Sequence, residues 1–301
     1  MSSARWMRKR SRACLATLRA MPEPQTNNVL RVLTWQAEEL VIYTVLPLAV
    51  YGASTVWDLH SLELPNLPVS VLGAALGIFV SFRTNSAYGR WWEGRKLLGR
   101  LINSSRHLAS QLTAYLSPEE AAISVRRHVA WVRVFVARML HEEPLSRLDG
   151  SLLDPGERAA LDAEPNANHG LMDTQLAAWT RLADQGTLDG LRLHSLDGTA
   201  AALLDILGGC ERIRNTPFPR IYELIARSLT VVYGIVMPLA LLDDVGWLVV
   251  PLTTLACLTF GLINDVGTVL EQPFRERPPL PIDDIGAMVE AEALHRISDA
   301  D

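Results

Sequence analysis

Seven histidines, at positions 60, 107, 128, 141, 169, 194 and 295, are the side chains best suited to metal binding or proton transfer, and their spacing serves neither. No HExxH and no His-x-His occurs, so no helical face presents paired imidazoles to a zinc ion. His141-Glu-Glu143 reads as a solvated helix end. Asp243-Asp244 and Asp283-Asp284 lack the alternating oxygen ligands of a calcium loop. Gly208-Gly209 is a weak point in a helix and not a phosphate cradle, because no GxGxxG or GxxxxGK[ST] surrounds it. No GxSxG places a serine nucleophile. Cys14, Cys210 and Cys257 are odd in number and share no CxxC, which suits a reducing cytoplasm and a membrane interior. An enzyme is therefore the weaker functional class, and no metal or cofactor is expected.

What the chain does offer is a helix that changes solvent along its length. Residues 69–82 are apolar and rich in small side chains, and Arg83, Asn85, Arg90, Trp91, Trp92, Glu93, Arg95 and Lys96 follow with no proline to stop the helix. Over residues 69–99 such a helix is roughly 45 Å long, more than the ~30 Å of bilayer hydrocarbon, so it must leave the membrane. The apolar part is short for a helix facing lipid alone and contains Ser70, Ser81, Gly73 and Gly77. Burial among other helices, or beside a water-filled path, explains such a segment better.

Three further apolar runs complete a four-span pattern. Residues 40–57 are eighteen positions without a charge; the others centre on 229–242 and 247–263. Pro47, Pro238 and Pro251 inside them cost backbone hydrogen bonds that neighbours must satisfy. The joint at 58–68 carries Asp58 and Glu63 but no Lys or Arg, and the joint at 243–246 carries only acids, although the chain has 28 Lys and Arg. The positive-inside rule then places both termini and the central region in the cytoplasm of an inner (plasma) membrane protein. The basic stretch at 1–31 has no cleavage site after a short apolar core, and lies against anionic headgroups. Net charge is −5, which suggests no nucleic-acid partner.

The central region reads as helical throughout. Ser117-Pro-Glu-Glu120 is a start signal with an N-cap, a proline at the first helical position and a capping box. The helix it opens, to about 141, sets Ile123, Val125, Val129, Val132, Phe135, Val136 and Met139 on an apolar face, with Arg126, Arg127, Arg133 and Arg138 opposite or flanking. Residues 143–169 are loop-rich, and helices resume near 171–184 and 196–212. The expected layout is a basic cytoplasmic segment at 1–35, spans at 36–58, 68–94, 223–243 and 246–265, a cytoplasmic helical region at 95–222, and a cytoplasmic strap and helix at 266–301.

Three local patterns resemble the bestrophin family, specifically its prokaryotic members. The first is Ala74, Ile78, Phe82 leading into Arg83-Thr-Asn85 and Tyr88-x-Arg90-Trp91-Trp92-Glu93. The second is Asn215-Thr-Pro217-Phe-Pro219-Arg-Ile-Tyr222, similar to the turn before the third span. The third is Asp265-Val-Gly267 with Leu270-Glu271-Gln272-Pro273-Phe274, similar to the segment after the fourth span. Order, spacing and topology agree over nearly the whole chain.

The resemblance implies an all-α membrane protein with four transmembrane helices and a cytoplasmic helical bundle, assembled as a homopentamer around a central pore for small monovalent ions. Ala74, Ile78 and Phe82 fall at i, i+4 and i+8 and share one stripe. The stripe is either helix-helix core or, in a pentamer, three stacked apolar rings that gate by admitting or excluding water. Gly73 and Gly77 let helices approach closely. Trp91 and Trp92 anchor the membrane interface, and Arg90 and Glu93 are expected in an ion pair within the subunit or between subunits. Pro217 and Pro219 fix the return into the third span, and residues 272–281 are too proline-rich for a helix. Glu271 lies either near the pore wall or at a solvated helix end.

After Pro273-Phe274 the animal bestrophins carry consecutive acids that help clasp calcium, where this chain has Arg275, Glu276 and Arg277, so that clasp is not recognisable. The family name implies anions such as chloride, prokaryotic members are associated with cations, and neutral rings do not choose between them. The rival class is a membrane-anchored scaffold or enzyme acting through its soluble region.

Overall fold

The computed structural model describes residues 37–57, 66–274 and 280–298. The basic N-terminal segment, Asp58, Glu63, and Arg275 to Arg277 lie outside the described residues. Nine α-helices occur among those described: α1 Ala37–Val56, α2 Asn66–Tyr115, α3 Pro118–Met139, α4 Pro155–Leu161, α5 Ala167–Asp184, α6 Gly190–Asn215, α7 Ile221–Val245, α8 Val249–Leu270 and α9 Ile282–Ser298. A short 3₁₀ turn, Gly246–Leu248, joins α7 to α8, with Gly246 in the left-handed region (φ 57°). The described residues fall into two compact units, one within 1–77 and 227–262, the other within 78–226 and 263–301.

The first unit is built from apolar helices. Ala37–Val56, Pro68–Tyr115 and Ile221–Leu270, the last comprising α7 and α8, are long and apolar enough to cross a membrane. Small residues set its packing. A methyl at Gly234 would lie 3.2 Å from Leu46 and 3.3 Å from the Cys257 sulfur, and one at Gly261 would lie 3.2 Å from the Tyr43 ring. Apolar side chains gain nothing by leaving lipid for each other, so close approach of helices supplies the attraction. Thr254 also donates to the Tyr43 carbonyl at 3.0 Å, joining α8 to α1. Pro47 and Pro238 lie inside α1 and α7. Pro251 is instead in the first turn of α8, where its missing N–H has no intrahelical acceptor to lose, so the expected cost does not arise there. Asp243 and Asp244 belong to the last turn of α7 and not to a loop.

The second unit is a soluble-type bundle around α3, which packs against α9 and α5. Its core holds Trp131, Phe135 and Trp179 with Leu101, Leu108 and Leu171, all essentially inaccessible. The capping box at Ser117 forms: its side chain accepts from the Glu120 N–H, and Glu120 accepts from the Ser117 N–H at 3.2 Å. Several expectations are corrected. Ile123 is exposed, whereas Arg127 is buried, paired with Glu157 and donating to Gln175 at 2.9 Å. Residues 143–169 contain α4, α5 begins at 167, and α6 begins at 190 with Asp189 as its cap. Gly209 is no weak point: a methyl there would lie 3.0 Å from Leu97, so it lets α6 sit close on α2.

Candidate pore helix and its anchors

Helix α2 runs unbroken for 50 residues, roughly 75 Å, because nothing between Pro68 and Leu116 ends it. Its exposed face carries Ala74, Ile78 (59% exposed), Phe82 (69%) and Asn85. The opposite face, Leu76, Val80, Arg83 and Ala87, is buried. Of the two environments left open for the stripe, helix-helix core within one subunit is therefore not the one found.

Gly73 and Gly77 turn toward aromatic rings. A methyl at Gly73 would lie 3.0 Å from Tyr233 on α7, and one at Gly77 3.7 Å from Phe260 on α8. Those two rings meet edge to face, with centroids 5.8 Å apart.

Just past the stripe, the Arg83 side chain is almost fully buried. It donates to the Asn264 carbonyl at 2.8 Å, to Asn264 Oδ1 at 2.5 Å, to Thr268 Oγ1 at 3.1 Å and to Glu271 Oε1 at 2.6 Å. A buried guanidinium is tolerable only when paired and hydrogen-bonded in this way. Gly267 makes room for it, since a methyl there would lie 3.2 Å from the Arg83 nitrogen. Glu271 is thus not a solvated helix end but one half of a largely buried ion pair. Burial pushes its carboxyl above the usual carboxylate range, and the Arg83 charge opposes that shift.

Two turns further on, Arg90 donates to the Glu271 carbonyl at 2.7 Å and to the Ile213 carbonyl. Within the chain Glu93 pairs with Arg212 and not with Arg90. Trp91 packs against the bundle core, while Trp92 is exposed and stacks on Tyr88 at 6.5 Å. Phe274 and Leu280 close on Gly94, and Pro273 is buried beside Phe274. Pro217 is exposed, whereas Phe218, Pro219 and Tyr222 share a cavity of about 470 Å³ with Phe79 and Phe82, which brings the proline turn beside the exposed stripe. Sequence reasoning named Arg83, Arg90 and Glu271 but missed Asn264, Thr268 and Arg212. For Asn264 and Thr268 the available signal was polarity near the end of the apolar α8, in Asn264-Asp265 and Thr268. Among the described residues no cluster of three metal-ligating side chains occurs.

The chain that carries this long helix, with its exposed apolar stripe and its Arg83 and Arg90 anchors, matches one family over nearly its whole length. The profile of the bacterial and fungal bestrophin proteins covers residues 5–295, and the chain belongs to that family. Among relatives, it is 28% identical to a voltage-dependent anion channel-forming protein of Salmonella typhi, over 92% of this chain and 94% of that one. It is 31% identical to a protein of the same description from Nostoc, over 80% and 81%. A crystal structure of a bacterial bestrophin homologue from Klebsiella pneumoniae shares the fold, with a TM-score of 0.79 at 24% identity, covering 86% of this chain and 97% of that one.

Proposed function

We propose that the chain is a passive channel for small monovalent ions, assembled as a homopentamer in the inner membrane with α2 of each subunit lining a central pore. The observation that carries this is the exposure of Ile78 and Phe82 on a helix whose other face is buried. Fivefold symmetry would turn Ala74, Ile78 and Phe82 into three apolar rings. Such a neck controls water access and carries no fixed charge, so the sign of the ion is set elsewhere. Ala74 makes the first ring the widest of the three. The relatives are named for anions, which makes chloride the first ion to try, while Asp243 and Asp244 would draw cations to the outer mouth. Spans at 36–58, 68–94, 223–243 and 246–265 leave both termini and the bundle in the cytoplasm. Lipid and further copies of the chain are the partners. Arg275 and Arg277 stand where acidic calcium ligands would be needed, so opening does not depend on that clasp.

The test is ion flux from liposomes holding the purified protein, with potassium, sodium and chloride gradients imposed in turn, beside an Ile78→Ala, Phe82→Ala variant. Flux that follows one ion and rises in the variant supports the pore and gives its sign. No flux above empty liposomes would leave a membrane-anchored scaffold as the reading.

A further inference from the structure

The last four carbonyls of any α-helix lack an intrahelical partner, and a cation placed there is also favoured by the helix dipole. Ile213 lies in the last turn of α6, and Glu271 is the first residue after α8. Both carbonyls accept from the single guanidinium of Arg90. One side chain on α2 therefore caps the ends of two helices that belong to distant parts of the sequence. Only arginine presents a rigid fork of donors able to reach both at once.

The surroundings make this a stiff joint. Arg83, seven residues earlier on the same helix, grips the Glu271 carboxylate, so Glu271 is held at both its side chain and its backbone. The end of α6 is fastened at three further residues: Glu211 pairs with Arg138 of α3 at 2.5 Å, Arg212 with Glu93 of α2, and Arg214 bonds His141 just beyond α3 at 3.0 Å. Arg90 is half-buried and off the exposed stripe, eight residues, or about 12 Å, beyond Phe82.

We propose that Arg90 is a positioning residue for the neck: by capping α6 and α8 together it makes the soluble bundle and the end of α8 set where the Phe82 ring stands, and hence how often the pore is open. This rests on the channel reading. Because Arg90 lies off the exposed stripe and bonds the Glu271 and Ile213 carbonyls, its loss changes the frequency of opening and leaves the conductance and ion preference of the open pore unaltered. Lysine keeps the charge but reaches one carbonyl at a time, so it serves as the milder variant.

The experiment is single-channel recording in planar bilayers of the intact assembly, comparing the unaltered protein with Arg90→Lys, Phe82→Ala and the double variant, each checked for assembly by size. The expected result is a change in open probability of about fivefold or more for Arg90→Lys, at unchanged unitary conductance. In the Phe82→Ala background, where the ring is gone, the same substitution should have no effect on opening. An unchanged open probability, a changed unitary conductance, or an effect that persists without Phe82 overturns the proposal. So does failure of Arg90→Lys to assemble, since the residue would then hold the fold as a whole. Absence of current from the unaltered protein overturns the channel reading and this inference with it, whereas normal current with an indifferent Arg90→Lys overturns the inference alone.

Discussion

In the unit of long apolar helices the large apolar side chains point outward, and in the helical bundle they point inward. Val41, Leu48, Leu252 and Leu255 of α1 and α8 are all exposed, while Leu101, Trp131, Phe135 and Trp179 are sealed in the bundle core. Glycines facing ring edges and side chains hold the first unit; a dense aromatic core with arginine–carboxylate pairs holds the second. One chain thus solves packing twice, once where expulsion from water drives it and once where lipid removes that drive.

Trp131→Ala empties a large volume in the bundle core and should cost about 3–5 kcal/mol in chemical denaturation of the detergent-solubilised protein. Leu255→Ala, a comparable truncation facing outward from α8, should leave stability within about 0.5 kcal/mol; equal losses would break the contrast. Glu271→Gln would leave the buried Arg83 charge uncompensated, at a cost of about 3–5 kcal/mol in the same assay.

His128 sharpens the contrast through pH. Burial in the bundle pulls its pKa down from 6.5 to about 4. Between those values the unfolded chain binds the proton that the folded chain refuses, so stability is full above pH 6.5 and falls as pH drops toward 4. The loss should reach about 3 kcal/mol, and His128→Met should flatten it when unfolding is followed across that window. In the unit of long apolar helices, Gly73→Ala meets the Tyr233 ring at 3.0 Å and should cost about 1–3 kcal/mol, whereas Gly77→Ala, at 3.7 Å from Phe260, should be nearly silent in thermal unfolding.

Local signals were legible in the sequence, and distant ones were not. The start of α3 was readable because Ser117, Pro118 and Glu120 act on their own backbone. The four apolar helices followed from composition alone. Arg127 looked like a solvated face residue because its partners, Glu157 and Gln175, sit 30 and 48 residues away in a region that reads as loop and as a separate helix. Arg90 and Glu93 are neighbours in sequence, yet each finds a better partner across the fold. The exposed stripe was legible as periodicity, but periodicity does not say which way a stripe faces.

The bond between Arg83 and Glu271 spans 188 residues of chain. At ~5–20 residues per second of synthesis, the arginine leaves the ribosome roughly 10–40 s before its counter-charge exists. During that interval the carboxylate that pairs with Arg83 in the folded chain is absent. The Arg83 anchor of α2 therefore cannot form until the end of α8 has been made, so the fold around it is completed only with the arrival of the C-terminal quarter.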